Sequence, residues 1–314
     1  MYRRNIFLVL FFMMNIAFAQ SFKLIPLGVS GGVDESNLSA YLVSELDSDN
    51  YLCLDAGTLY SGIKNYFHKN QIEGNPSDFL KNNIKAYFIS HPHFDHSSGL
   101  IINSPEDSKK NIYAADFVME AFKKHIFSWD TWANFANEGD EPRIGKYQYR
   151  YLAENEWTSV ENTNFQIQMS YLSHTGKNKS SAALIRNSQE HYFLYLGDTG
   201  ADEIEKTNQL EDLWKKIAPL VKNKQLKGIA IECSYANEQP DSKLYGHLKP
   251  SLLMKELEKL ERYTGLQALK EVKIIITHIK PKEGVLNTIE QELLPLRKKG
   301  IKIVVAEQGK VIKI

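Results

Sequence analysis

Five short apolar runs of β-strand type, spread along the chain, each end at an aspartate or a histidine. They are "YLCLD" ending at Asp55, "IKAYFIS" before His91, "FQIQMSYLS" before His174, "HYFLYLG" before Asp198 and "VKIIIT" before His278. Strand ends and the loops beyond them are held in place by a sheet yet stay open to ligands, which suits a binding or catalytic site. The repetition therefore predicts a sheet protein whose strand ends carry a polar site.

Longer segments between the strands show apolar residues at three- and four-residue steps, the spacing of an amphipathic helix. These segments cover 113–126, 202–222, 250–263 and 287–299. Pro250 suits a first helical turn and Gly300 the end of the last helix. No linker rich in Pro, Gly or Ser interrupts the chain. We therefore expect residues 20–314 to form a single α/β domain of two strand-rich halves, with layered sheets and helices outside.

The first nineteen residues have the pattern of a secretory signal peptide. Arg3 and Arg4 give a positive start, an apolar run covers 6–19, and "AFA" supplies the small-residue cleavage site. The apolar run is shorter than the roughly 20 residues that a membrane-spanning helix needs. We expect cleavage after Ala19, export to a periplasm or to the medium, and no membrane anchor on the mature chain.

Composition narrows the class of substrate. The 314 residues include 38 basic and 38 acidic side chains, and 43% are hydrophobic, enough for a sizeable core. A protein that binds a polynucleotide through its phosphates would normally carry a basic excess. A polynucleotide substrate is therefore disfavoured.

The two cysteines, Cys53 and Cys233, each lie in a strand-type run. Neither has the spacing of a metal-binding pair. An oxidising compartment would permit a bridge between them, but cysteines inside strands usually pack as small hydrophobic groups. We expect two buried free thiols.

The segment "HPHFDH", residues 91–96, places four metal-capable side chains within six positions. His91 and His93 are two residues apart, so in an extended segment their side chains point the same way. The proline between them disfavours helix at His91. Asp95 and His96 follow where the chain turns. The loop thus offers ligands in two directions, which suits a pair of adjacent metal ions better than a solvated surface turn.

Imidazole and carboxylate groups without a thiolate favour Zn²⁺, while Mn²⁺ and Fe²⁺ stay open because ligand type alone rarely fixes the metal. Two ions about 3.5–4 Å apart would share a bridging hydroxide and clamp both oxygens of an in-line displacement. The sequence therefore predicts two divalent ions as cofactors.

The HxHxDH motif, followed by distant His, Asp and His, resembles the metallo-β-lactamase superfamily. The longer stretch "HPHFDHSSGLIINSP" is similar to the class II cyclic-nucleotide phosphodiesterases, with Phe94 where that family usually has Leu and Ser97 where it has an aliphatic residue. Further similar segments, from "LDAGTL" to "GHLKP" and "ITHIKP", span the mature chain. The resemblance implies an αββα sandwich, two mixed β-sheets flanked by helices.

The resemblance also implies the ligand set. One ion would be bound by His91, His93 and His174, the second by Asp95, His96 and His278, and Asp198 would bridge them. Asp55 matches an acid that braces the ligand loop in this family. An ordinary turn residue is the alternative for Asp55.

Glu232 and His247 lie in "IECSYAN" and "YGHLKP", which resemble segments beside the scissile phosphate in phosphodiesterases of the superfamily. His247 would then donate a proton to the leaving alkoxide, with Glu232 orienting it. The alternative for His247 is a structural residue at the start of a helix. With the carboxylates Asp95 and Asp198, this pair completes the predicted catalytic set.

Four aromatic residues in the insert after the loop have two interpretations. Phe127, Trp129, Trp132 and Phe135 could stack on a nucleobase, although aromatic residues more often pack in a core. Both interpretations stay open at the level of the sequence.

The resemblance implies hydrolysis of a small 3′,5′-cyclic nucleotide, cAMP or cGMP, to the 5′-monophosphate. Another substrate on the same site, such as a β-lactam, a lactone, a thioester or a different phosphodiester, is an alternative. A secreted metal-binding protein without turnover is a weaker one, because a structural zinc site would be closed at four ligands. A homodimer stays open.

Overall fold

The structure, a computed structural model, describes residues 20–176 and 179–314. The predicted signal peptide, residues 1–19, therefore lies outside the described residues. In the described ranges, no helix combines the length and the apolar character that crossing a membrane would require.

Fourteen strands form in the described part of the chain. They are β1 Phe22–Gly28, β2 Ala40–Glu45, β3 Tyr51–Ala56, β4 Ile84–Phe88, β5 Lys110–Ala114, β6 Tyr147–Tyr151, β7 Trp157–Ser159, β8 Gln166–Ser173, β9 Lys179–Arg186, β10 Tyr192–Leu196, β11 Leu226–Glu232, β12 Lys273–Thr277, β13 Lys302–Val305 and β14 Ile312–Lys313. The first sheet has the spatial order β14-β1-β2-β3-β4-β5-β6, and the second β13-β12-β11-β10-β9-β8-β7. Both sheets are mixed, and each contains a parallel block, β3–β6 in the first and β10–β13 in the second.

The helices lie outside the two sheets. They are α1 Tyr60–Lys69, α2 Pro76–Asn82, α3 Phe94–Asn103, α4 Asp116–Ala121, α5 Asp202–Glu205, α6 Gln209–Lys222, α7 Pro250–Thr264, α8 Leu266–Leu269, α9 Val285–Glu292 and α10 Leu294–Lys298. Helices α1, α2 and α3 contact the first sheet, and α6 contacts the second. The layers are those of the predicted αββα sandwich.

The two-residue period of the strands divides the core into layers. In β3, Leu52 and Leu54 belong to the cluster between the sheets, whereas Tyr51 and Cys53 belong to the cluster under the first group of helices. Trp214 of α6 is fully buried against the outer face of the second sheet. Apolar residues on both faces of each sheet explain why the strand-type runs are almost continuously hydrophobic.

Several helix boundaries differ from the sequence predictions. The predicted helix 113–126 begins as strand β5, because the run 110–114 pairs in parallel with β4 and β6. The predicted helix 202–222 is two helices, since Lys206 takes a left-handed φ of 57° between them. The predicted helix 287–299 is divided into α9 and α10. Strands β6, β7 and β14 were not predicted.

Other local predictions are confirmed. Helix α7 begins at Pro250, and Gly300 follows α10 with a φ of 87°, a conformation that favours glycine. Cys53 and Cys233 are free and buried. Phe127 and Phe135 are buried in the helix-side core of the first sheet, so the packing interpretation holds for them.

Candidate metal centre and active site

Strand direction brings the candidate residues to one edge. Strands β10, β11 and β12 are parallel neighbours, and β8 runs the same way because it lies two antiparallel steps from β10. At or just beyond the carboxyl ends of these four strands lie His174, Asp198, Glu232 and His278. In the first sheet, Asp55 and His91 likewise lie at or just beyond the carboxyl ends of the parallel strands β3 and β4. Residues far apart in sequence therefore meet between the two sheets.

Helix α3 supplies the remaining predicted ligands. His93 is the residue before its first turn, and Asp95 and His96 lie in that turn. The imidazole rings of His91 and His93 are 4.5 Å apart between centroids, on the same side of the loop as predicted. The backbone N–H of Gly32 donates to Oδ2 of Asp95 at 2.9 Å and holds that carboxylate toward the site.

The structure brings all seven predicted ligands together. Potential ligand atoms lie within 4.8 Å of one another in each of four groups, which are His91, His93 and His174; Asp95, His96 and His278; His91, His96 and Asp198; and Asp198, Glu232, His247 and His278. The first two groups are the two ligand sets that the sequence predicted, and Asp198 joins the third and fourth. Their roles as metal ligands stay predictions.

Asp198 lies between the two histidine groups, with one oxygen toward each. Its Oδ2 is 3.7 Å from Nε2 of His91 and 3.9 Å from Nε2 of His174. Its Oδ1 is 3.2 Å from Nε2 of His96 and 3.3 Å from Nε2 of His278. This is the arrangement expected of a carboxylate that bridges two ions.

Two imidazole nitrogens in the centre are buried without a hydrogen bond: Nε2 of His96 and Nε2 of His278. Their Nδ1 atoms are occupied, by Oδ2 of Asp55 at 2.7 Å and by Oγ of Ser234 at 2.9 Å. A buried polar atom without a partner is costly. A divalent cation would bind both nitrogens, in place of any proton there, so the residues present fit a metal centre.

The charges of the site favour the same conclusion. Burial raises the pKa of Asp198, but His278 and His96 outweigh it and hold that pKa well below its ordinary value. Burial lowers the pKa of His96, but Asp198 and Asp55 outweigh it and raise that pKa well above its ordinary value. The metal-free centre thus draws positive charge toward its buried carboxylates, which divalent cations would supply.

Asp55 braces the ligand loop. It is fully buried with a left-handed φ of 53°, which is uncommon for a residue other than glycine. Its Oδ1 accepts from the backbone N–H of Ser90 at 2.7 Å, and its Oδ2 accepts from the Ser90 hydroxyl at 2.7 Å and from Tyr195 at 2.6 Å. Together with the bond to His96, these contacts favour the bracing role over that of a turn residue.

Glu232 and His247 form a buried pair at the rim of the centre. Nδ1 of His247 is 2.8 Å from Oε1 of Glu232 and 3.8 Å from Oδ2 of Asp198. Burial lowers the pKa of His247, but Glu232 and Asp198 outweigh it and raise the pKa above its ordinary value. Because Nδ1 is bound to Glu232, Nε2 is the nitrogen that a substrate could reach.

Several residues that hold the site were not identified from the sequence. The hydroxyls of Ser90 and Ser234 contact Nδ1 of His91 and His278, respectively. The carbonyl of Gly246 lies 2.9 Å from Nδ1 of His174. Gly31 approaches the centre so closely that a Cβ there would lie 2.2 Å from the His278 ring. The available signal was a small or hydroxyl residue next to each strand end, as in "ISHPH" and "IECS".

Solved structures place the fold in a known class. The chain matches yeast PDE1, solved without ligand, with a TM-score of 0.82 and 21% identity, covering 94% of this chain and all of that one. It matches the metallo-β-lactamase fold protein YhfI from Bacillus subtilis with a TM-score of 0.61 and 17% identity, covering 94% of this chain and all of that one. With its two mixed sheets flanked by helices, the chain has the metallo-β-lactamase fold.

Sequence comparison identifies the family within that fold. The family model of the class-II cAMP phosphodiesterases matches residues 18–309. A protein from Aliivibrio fischeri named 3′,5′-cyclic-nucleotide phosphodiesterase is 38% identical over 303 residues, covering 92% of each chain. The chain belongs to the class II cAMP phosphodiesterase family.

Proposed function

We propose that this chain hydrolyses 3′,5′-cyclic nucleotides, cAMP or cGMP, to nucleoside 5′-monophosphates at a dinuclear metal centre. Family membership and the name of the Aliivibrio fischeri relative support the reaction. The observation that carries the proposal is the position of Asp198, which presents one oxygen to each histidine group while His247 lies 3.8 Å away. A site of that geometry combines an anion-binding centre with a proton donor.

Each half of the centre would bind one ion. His91, His93 and His174 would hold the first ion, Asp95, His96 and His278 would hold the second, and Asp198 lies close enough to both groups to serve each. Two divalent ions bound there would neutralise charge on the phosphate and make a water molecule more acidic. Zn²⁺ suits this set of imidazoles and carboxylates, with Mn²⁺ or Fe²⁺ as alternatives.

The protein's own part in the chemistry is proton transfer. Water adds to phosphorus and releases a proton to solvent, and the bond from phosphorus to the ribose 3′-oxygen breaks, so that this oxygen leaves as a strongly basic alkoxide. His247 donates a proton to it from Nε2, while Glu232 holds the opposite ring nitrogen. Burial lowers the pKa of His247, but Glu232 and Asp198 outweigh it and raise the pKa above its ordinary value, which favours the protonated form that a general acid needs.

Substitution of His247 tests the proposal through the leaving group. Bis(p-nitrophenyl) phosphate expels a stable phenolate and needs little help from an acid. We expect His247→Ala to lower cAMP and cGMP turnover by about 10²–10⁴-fold and to affect the aryl ester far less. The measurement is kcat on each substrate, with products separated to distinguish the 5′- from the 3′-monophosphate.

Three other outcomes are informative. An equal loss on both substrates refutes the acid role of His247 but leaves the metal centre intact. No loss on either returns His247 to a structural role at the start of α7. Turnover of a chromogenic β-lactam, without turnover of either cyclic nucleotide by the unmodified enzyme, refutes the proposed substrate.

We also propose that the enzyme acts after export, as a single catalytic domain covering residues 20–314. The signal-peptide pattern of residues 1–19 supports this proposal. Amino-terminal sequencing of the protein from a periplasmic extract should begin at Gln20. A protein that keeps Met1 and stays in the cytoplasm would contradict it.

A further inference from the structure

Ser234 connects the two functional parts of the site. It is fully buried, two residues after the end of β11. Its Oγ is 2.6 Å from Oε2 of Glu232 and 2.9 Å from Nδ1 of His278. One hydroxyl therefore contacts both the carboxylate that holds His247 and a predicted metal ligand.

The direction of these hydrogen bonds follows from counting protons. A serine hydroxyl has one proton, and the Glu232 carboxylate can only accept. Both oxygens of Glu232 also accept backbone N–H groups, Oε1 from Thr199 at 2.9 Å and Oε2 from Leu248 at 3.1 Å, as a charged carboxylate does. A hydrogen bond to a charged group is the stronger kind. The hydroxyl therefore donates to Glu232, and the proton between Ser234 and His278 lies on Nδ1 of the imidazole.

The backbone carbonyl of His278 does not change this result. It lies 2.9 Å from the same hydroxyl and is also an acceptor. Whichever oxygen receives the serine proton, Nδ1 of His278 has to be the donor in its own bond. A neutral His278 ring then carries its lone pair on Nε2, which lies 3.4 Å from Oδ2 of Asp95 and 3.3 Å from Oδ1 of Asp198.

Ser90 repeats the arrangement on the other sheet and provides a matched control. Its hydroxyl is 2.7 Å from Oδ2 of Asp55 and 3.0 Å from Nδ1 of His91. The remaining side-chain contacts of Asp55 are His96 and Tyr195. Ser90 therefore holds a predicted metal ligand but has no connection to the Glu232–His247 pair.

We propose that Ser234 is a positioning residue with two effects: it fixes the tautomer of His278 for metal binding and holds Glu232 in place for His247. This inference rests on the proposed function for its catalytic half only. The tautomer and the metal affinity can be measured without any substrate. Its failure and the failure of the proposed function can therefore be told apart.

The first experiment compares Ser234→Ala with Ser90→Ala. We expect both variants to bind zinc about 10–100-fold more weakly in a competition titration, the usual loss when the partner of a ligand is removed. The ratio of cAMP to aryl-ester turnover should fall about 10-fold in Ser234→Ala alone, a part of the 10²–10⁴-fold that general acid catalysis supplies. Unchanged zinc affinity in a folded Ser234→Ala protein, or the same ratio in both variants, overturns the proposal.

The second experiment measures the unmodified protein and needs a variant only to assign one signal. Nitrogen-15 spectra of the metal-free protein report which ring nitrogen of each histidine carries the proton, and His278→Gln assigns the signal of His278. We expect a proton on Nδ1 and a bare Nε2. A proton on Nε2 of His278 overturns the proposal, even if cyclic nucleotides prove to be the substrate.

Discussion

Two buried polar clusters contact the first sheet, and they differ in whether all of their buried polar atoms are hydrogen-bonded. The Asp107 cluster contains Asp107, Lys110, Tyr87 and Tyr147. Oδ2 of Asp107 accepts from Tyr87 at 2.6 Å and from Tyr147 at 3.0 Å, while Oδ1 pairs with Lys110. Lys110 also donates to the carbonyl of Leu80 at 2.6 Å. In the metal centre, by contrast, buried Nε2 atoms have no hydrogen bond.

The difference distinguishes a polar cluster that stabilises the fold from a cluster that is a candidate functional site. The polar groups of the Asp107 cluster satisfy one another, so that cluster is complete as it stands. Cations would complete the candidate metal centre, whose imidazole rings are held in place by surrounding hydrogen bonds. Burial and charge alone would not distinguish the two clusters. The buried nitrogens without a hydrogen bond do.

The largest expected effect is at Asp198, which contacts both histidine groups. Asp198→Asn keeps the shape of the side chain but removes its charge, so we expect kcat/KM on cAMP to fall on the order of 10³-fold, the scale of losing one preorganised electrostatic contact. Near-normal activity in Asp198→Asn would contradict the bridging role.

Removing metal with a chelator should abolish activity, and Zn²⁺ or Mn²⁺ should restore it. Elemental analysis should give two ions per active chain.

Substitution in the Asp107 cluster should have the opposite signature. Asp107→Ala leaves the Lys110 charge buried without its partner, which typically costs about 3–5 kcal/mol of stability. We expect the denaturant midpoint to fall accordingly. The folded fraction should still bind two ions with normal affinity. Weakened metal binding in that fraction would show that the two clusters are not independent.

A pair of tyrosines sharpens the comparison. Tyr87 donates to Asp107 and Tyr195 donates to Asp55. Each phenol is neutral, because burial, followed by the adjacent carboxylate, raises its pKa well above the ordinary value. Tyr87→Phe and Tyr195→Phe should each lower the free energy of unfolding by about 1.5–3 kcal/mol, the value of a hydrogen bond to a charged group. Only Tyr195→Phe should also weaken zinc binding, measured by the same competition titration.

The smallest effect concerns Lys216 of α6, which donates to Asn155 and Ser170 rather than to a carboxylate. Burial lowers its pKa from 10.5 to about 8. Between these values the unfolded chain binds more protons than the folded one, so stability should rise as pH rises through this window. Lys216→Met should flatten that rise in thermal unfolding measured across the window. The exposed Lys222→Met is the control, and an equal change in both variants would refute the assignment.

The sequence predicted the residues whose positions depend on local geometry. His91 and His93 point the same way because two residues of extended chain separate them, and Asp198 and His278 follow strands that were evident from their apolar runs. What it could not predict were contacts made through tertiary folding. Tyr195 reaches Asp55 across 140 positions of sequence. Strand β5 was mistaken for helix because its neighbours β4 and β6, rather than its own periodicity, determine its conformation.

The distribution of the predicted ligands between the sheets has a mechanical consequence. The loop after β4 supplies His91, His93, Asp95 and His96, while strands of the second sheet supply His174, Asp198 and His278. Neither half of the chain therefore holds a complete set for either proposed ion. Each ion would link residues from both halves of the chain, so its binding free energy would also oppose the separation of the halves. Loss of the ions should weaken the contact between the two sheets before either sheet unfolds. Proteolysis should then begin where the two sheets meet.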